Sequence, residues 1–365
     1  MPKTSFRKNS DSPDMFVLKR YWPTRNNKKL SLRQSQKNVD CQFEKFVEAQ
    51  GERPLLVIKE RDVGLFSLFL QVINTLLCKE EQSLQCDVVV DFSGHQAYFT
   101  GTNTWDECFE SLNGLDSSVE VSLRRVQKHY GRRVKQMRFW DLFGSIYRVD
   151  SGLFWSASYY PLFNSTSAEH HISHKQIPTD SDRQRANKVI GRYIKVNRGL
   201  LEKRDAFVAD HFKGKRVIGV QFRGTDARHD SRRTIPSYER FHRVIRDEIS
   251  NIDSDTDVVI FVASDEQAFV DDIRGQFHNV VSAEVLRDEG GVVEGRGPRK
   301  WLMPNFIERD RKGALEGVML DYLLLCRSQV LIHNFGGLTN AVLLTEPEIK
   351  SVLISEGYLE PFTKN

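Results

Sequence analysis

From residue 217 to 354 the sequence alternates short apolar runs with helical patterns, and that alternation constrains the fold more than any other feature. The runs 217–222, 258–263, 280–285, 330–334 and 351–354 are rich in Val, Ile, Leu and Phe and too short for helices, and helical patterns lie between them at about 238–249, 266–276, 314–327 and 338–345. Strands joined by helices require crossovers, which build a mostly parallel sheet with helices on both faces. A shorter series of the same kind precedes it. Residues 54–59 read as a strand, Gly64 opens an apolar-periodic segment to Leu77, and 87–92 read as the next strand. Two Rossmann-like units of α/β class follow as the expectation.

A chain of 365 residues is long for one core and suits two domains. The divisions expected are a basic leader over 1–50, one domain over 51–205 and a second over 206–365. A helical stretch over 183–212, interrupted at 197–199, leads into the second. The aromatic segment 105–161 has no clear period and is expected to be irregular with short helices; its Trp and Tyr side chains fit a core or a sugar-stacking surface. With 39% hydrophobic and 28% charged residues the chain belongs with folded globular proteins. The net charge of +4 is small and owes much to Lys and Arg in the leader, so no nucleic-acid partner is expected. Cys41, Cys78, Cys86, Cys108 and Cys326 show no metal-ligand spacing, and an odd number closes no disulfide framework. A reduced cytoplasmic compartment, no metal and no integral membrane segment are the expectations.

The chemistry converges on the ends of the strands. Run 217–222 stops at Arg223-Gly-Thr-Asp226, which brings a permanent cation to the carboxyl edge of a parallel sheet, where such sheets bind ligands. A guanidinium offers a planar fork suited to phosphate; an ordinary Arg–Asp surface pair is the other reading. Ser264 and Asp265 follow the second run, and Asn334-Phe-Gly-Gly-Leu-Thr-Asn340 follows the fourth. Gly336 and Gly337 stand before a helix, where backbone amides and the helix dipole favour an anion, and Thr339 adds a hydroxyl. Asp321 interrupts an apolar helix over 317–326, so its carboxylate must be paired, for instance with a buried Arg, or must face a cavity. In a cavity it matches the N1–H and amino group of guanine. Residues 288–298 are glycine-rich and charged, suited to a lid.

These motifs resemble those of the α1,6-fucosyltransferase and O-fucosyltransferase superfamily, which includes the nodulation fucosyltransferases. Gly-Val-Gln-Phe-Arg-Gly-Thr-Asp (219–226) is similar to its Gly-Val-His-x-Arg-Arg/Gly-Thr-Asp motif, Val-Ala-Ser-Asp-Glu (262–266) to its Ala-Thr-Asp-Asp, and Gly-Val-Met-Leu-Asp (317–321) to its Gly-Val-x-x-Asp helix. Asn-Phe-Gly-Gly-Leu (334–338) stands where the family has Phe-Ser-Ser. The resemblance implies a GT-B fold and a metal-independent inverting transfer from GDP-fucose to a glycan or glycoconjugate acceptor, with no cofactor. It assigns Arg223 to the diphosphate, Asp321 to the guanine, Gly336, Gly337 and Thr339 to the phosphates, and Asp226 and Asp265 to support of the site. The acceptor base is open among Asp226, His229, Asp230 and Asp265. Two departures bear on the donor. Gln221 replaces the family's His and can hydrogen-bond a base or ribose but not titrate, and two glycines replace its serines. Another nucleotide sugar, or binding without catalysis, are the alternatives.

Overall fold

The computed structural model describes residues 55–59, 63–81, 83–92, 97–98, 100–112, 145–149, 152–157, 172, 177–225, 227–229, 235–288, 292–294 and 302–354. The expected leader over 1–50 and most of the aromatic segment lie outside them. In the first half, β1 (Leu55–Lys59) is followed by α1 (Leu65–Glu81) and β2 (Asp87–Asp91). The short helix α2 (Thr104–Cys108) follows, and then the antiparallel pair β3 (Ser145–Val149) and β4 (Gly152–Ala157). The sheet order is β2-β1-β4-β3, with β1 parallel to both neighbours. The pair β3 and β4 thus falls inside the stretch expected to be irregular. Asn103, which caps α2, also ties the end of β2: it accepts from the Phe92 amide at 2.8 Å and donates to the Val90 carbonyl at 2.8 Å.

The helical stretch around residue 200 is two helices, α3 (Asp180–Tyr193) and α4 (Arg198–His211). A reciprocal capping box of Thr179 and Asp182 starts α3. The second sheet then forms from β5 (Arg216–Phe222), α5 (Tyr238–Ser250), β6 (Val258–Ser264), α6 (Gln267–Gln276) and β7 (Val280–Val281). The last of these is much shorter than the run over 280–285 suggests, because the chain leaves β6 after two pairs. A two-stranded pair, β8 (Val292–Glu294) with β9 (Leu302–Pro304), brackets residues 295–301, which include the end of the expected lid and lie outside the described residues. The chain closes with α7 (Asn305–Arg309), α8 (Arg311–Leu325), β10 (Val330–His333), α9 (Gly337–Thr345) and β11 (Lys350–Leu353).

All five strands of this sheet are parallel, in the order β11-β10-β5-β6-β7. Counted within the sheet, that is the 3-2-1-4-5 order of a doubly wound fold, and its direction reverses between β5 and β10. Alternation along β5 shows why both faces are covered. Ile218, Val220 and Phe222 pack with Phe241, Ile245 and Phe269 of α5 and α6, while Val217 belongs to the opposite core with α8 and α9. That second core continues through Leu343 and Tyr322 to Phe66, Phe69 and Ile73 of α1, so one apolar layer connects the two sheets.

Candidate functional site

The strand order reverses between β5 and β10, the point at which open parallel sheets bind ligands at their carboxyl ends, and the two residues that follow the strands there are Arg223 and Asn334. They are clamped to each other. The Arg223 amide donates to Asn334 Oδ1 at 2.8 Å and Asn334 Nδ2 returns a bond to the Arg223 carbonyl at 2.8 Å. The next turn is held from the other side by Asp265, which follows β6. Its two carboxylate oxygens accept from the Gly224 amide at 2.9 Å and the Thr225 amide at 3.3 Å. The backbone on both sides of Arg223 is therefore fixed by side chains of the two neighbouring strand ends, which pre-sets where the half-buried side chain starts. Gly224 is needed at the turn, since a Cβ there would overlap the Glu266 carboxylate. Glu266 in turn holds Arg228 in a two-pronged pair at 2.8 and 2.9 Å and accepts from the Tyr238 hydroxyl at 2.8 Å. Burial, with that bond to Glu266, pushes the Tyr238 hydroxyl up to about 12.

The helix α9 begins against this turn. Arg223 Cδ lies 3.8 Å from where a Cβ on Gly336 would stand, so the Arg side chain runs over the glycine. A Cβ on Gly337 would lie 3.4 Å from the Ser67 amide nitrogen in the first turn of α1. Two helix N-termini, one from each half of the chain, thus meet beside a permanent cation, and the local field favours an anion. Thr339 and Gln221 are turned to each other: both are buried, and the Thr339 hydroxyl donates to Gln221 Oε1 at 2.9 Å. The hydroxyl expected at the phosphates thus donates its proton within the strand–helix junction, to the Gln221 amide oxygen expected at a base or ribose. His333, beside Gln221 on β10, is fully buried, lies 2.8 Å from Ser351 Oγ, and is held neutral by burial, which takes it down to about 4. Asp226 and Asp230 and the His229 side chain lie outside the described residues.

Asp321 is 6% exposed on α8, and its Oδ1 has no hydrogen-bond partner among the described residues. Burial raises its carboxyl to about 7 against the opposing pull of Arg287. Arg287, which belongs to none of the motifs at the strand ends, is 9% exposed; its Nη1 donates to the carbonyls of Ala283 and Val285 at 3.0 and 3.3 Å, while Nε and Nη2 have no partner among the described residues. Desolvation lowers its affinity for the proton. The Asp288 amide donates to the Asp265 carbonyl at 2.8 Å, which joins this segment to the same rim as Arg223. Among the described cysteines, burial raises the thiols, Cys86 to about 11, and none is a poised nucleophile. Among the described residues no three His, Cys, Asp or Glu side chains are grouped to hold a metal, and no helix is long and apolar enough to cross a membrane.

No family model and no curated protein sequence matches the chain. Solved fucosyltransferases resemble it over most of its length. A NodZ alpha-1,6-fucosyltransferase soaked with GDP-fucose is 17% identical, covering 80% of this chain and 92% of its own, at a TM-score of 0.48. The selenomethionine form of fucosyltransferase NodZ from Bradyrhizobium is 16% identical, over 84% of this chain and 96% of its own, at 0.49. POFUT1 in complex with GDP is 10% identical, over 82% and 98%, at 0.43. At such values the likeness says nothing of individual residues.

Proposed function

We propose that this chain is an inverting glycosyltransferase that takes a GDP-sugar, GDP-fucose foremost, and passes the sugar to a hydroxyl of a glycan or glycoconjugate. The observation that carries the reading is Arg223, fixed by Asn334 and Asp265 at the point where the strand order reverses and running over the start of α9. In such a transfer the acceptor oxygen attacks the anomeric carbon, the bond from that carbon to the diphosphate oxygen breaks, and the acceptor proton passes to a base. Positive charge develops on the sugar and negative charge on the leaving GDP. A cation and helix amides held in advance at the diphosphate stabilise the charge that grows most. Arg223 and the backbone of Gly336 and Gly337 take that role.

Asp321 takes the guanine. An ionised carboxylate accepts from both N1–H and the amino group, a pair that adenine and uracil lack, and its buried oxygen without a partner suits that bond. Asp265 acts as an anchor, since its oxygens are engaged by backbone amides. This leaves Asp226, His229 and Asp230 as candidates for the base.

Calorimetric titration with GDP-fucose, GDP, UDP and ADP, without added metal, tests the reading. Selective binding of the two guanine ligands that weakens at least about tenfold in Arg223→Ala supports it, the scale expected when one charge-assisted hydrogen bond is removed. A preference for UDP or ADP would replace the donor, and no binding by any of the four would remove the function.

A further inference from the structure

Arg287 and Asp321 are oppositely charged, buried and electrostatically coupled, yet among the described residues no ion pair joins them. Burying a charge without a partner costs several kcal/mol, so such a pair is seldom left apart by packing alone. Their placement follows from the backbone. Gly317 and Asp321 are one turn apart on α8 and share a face. A Cβ on Gly317 would come within 2.9 Å of Val285 Cβ, so Val285, two residues before Arg287, lies against that face. The carbonyls of Ala283 and Val285 then hold Arg287 by Nη1 alone, leaving its Nε and Nη2 edge without partners. That edge is the two-pronged face of a guanidinium. The arrangement presents two parallel N–H donors near a carboxylate acceptor.

Guanine complements this set. Its N1–H and amino group are donors on one edge, and O6 and N7 are acceptors on the adjoining edge, a pattern to which an Arg fork is well matched. Adenine offers an amino group where guanine has O6, and would set donor against donor. We infer that Arg287 is a specificity-determining residue that reads O6 and N7 of the guanine whose other edge Asp321 holds. The inference rests on the guanine-nucleotide reading of the site.

The test is calorimetry on the wild type with GDP, inosine diphosphate and 7-deaza-GDP, in which N7 is replaced by C–H, repeated with Arg287→Met. In the wild type 7-deaza-GDP should bind about tenfold more weakly than GDP, the loss of one charged hydrogen bond. That difference should vanish in Arg287→Met, while the weaker binding of inosine diphosphate, which lacks the amino group at Asp321, should persist. Equal binding of GDP and 7-deaza-GDP by the wild type overturns the role of Arg287 even if the variant fails to fold. A 7-deaza effect that survives in Arg287→Met also overturns it, since another group would then read N7. Absence of GDP binding would instead be the failure of the guanine reading, and this inference would fall with it.

Discussion

Two arginines in this molecule are equally buried, each 9% exposed, and they are treated differently by their surroundings. Arg183 on α3 donates through Nε to the Pro178 carbonyl at 3.3 Å and through Nη1 to those of Pro347 and Ile349 at 3.4 and 3.2 Å. It ties the first turn of α3 to the entry of β11, helped by Asn187, which donates to the Thr345 carbonyl at 2.7 Å. Each of these bonds closes a join within the fold. Arg287 uses one nitrogen to hold its own loop and leaves two without partners among the described residues, as one oxygen of the Asp321 carboxylate is left. Buried charge that serves the fold is satisfied by the fold; buried charge left unsatisfied beside a strand-end rim is better explained by a ligand.

The contrast can be broken most directly at its structural end. Arg183→Ala should destabilise the protein by about 3 kcal/mol, because three carbonyls lose a buried donor. Chemical denaturation would measure it, and the nucleotide preference of the folded fraction should be unchanged. A change in preference without a loss of stability would reverse the roles assigned to the two arginines.

At the rim the balance should invert. Arg223→Ala should cost about a hundredfold in kcat/KM with a melting temperature close to wild type, since the role proposed for Arg223 is to stabilise charge on the leaving diphosphate. Steady-state kinetics with any accepted glycan, beside a melting curve, would show whether activity and stability separate.

Asp321 sharpens the comparison through pH. Its carboxyl is raised from 3.8 to about 7 on folding, so the folded state holds the proton more tightly than the unfolded one. The contribution to stability is thus greatest at low pH and is lost as pH rises from about 4 to about 7. Asp321→Asn, which keeps the neutral shape, should melt a few degrees above wild type at pH 8, converge with it only towards about pH 4, and lose GDP binding throughout. In the wild type, GDP affinity should fall about tenfold from pH 8 to pH 6, as the acceptor becomes protonated. An affinity flat across that range would detach Asp321 from the base.

The smallest effect is expected at the junction beneath the site. Thr339→Val removes the bond to Gln221 and should cost about 1 kcal/mol of stability with little change in nucleotide affinity, measured by denaturation and calorimetry. A large loss of affinity would return Thr339 to the phosphates.

The parallel sheet was legible because each of its strands is an apolar run bounded by polar residues, and because both of its faces are covered. The strand ends were legible for the same reason: Arg223, Asp265 and Asn334 each stand where an apolar run stops. What the residue types concealed was pairing. Nothing in them says that Asn334 would clamp the backbone of Arg223 or that Asp265 would be occupied by two amides, because those bonds join positions 111 and 41 residues apart. Thr339 and Gln221 read as ligand-facing because each is polar at a strand end or helix start, yet each satisfies the other. Arg287 was hidden for the opposite reason. It follows Val285 and Leu286 in an irregular segment, where an Arg beside Asp288 reads as solvated, yet it is buried in a segment whose Val285 packs against Gly317.

An experimental structure with GDP bound is the most direct test of a guanine-diphosphate site at the reversal between β5 and β10. The diphosphate is expected against Arg223 and the amides of Gly336 and Gly337, with the base between Asp321 and Arg287. GDP bound anywhere else on the molecule, or bound there with its base turned away from Asp321, would contradict that placement.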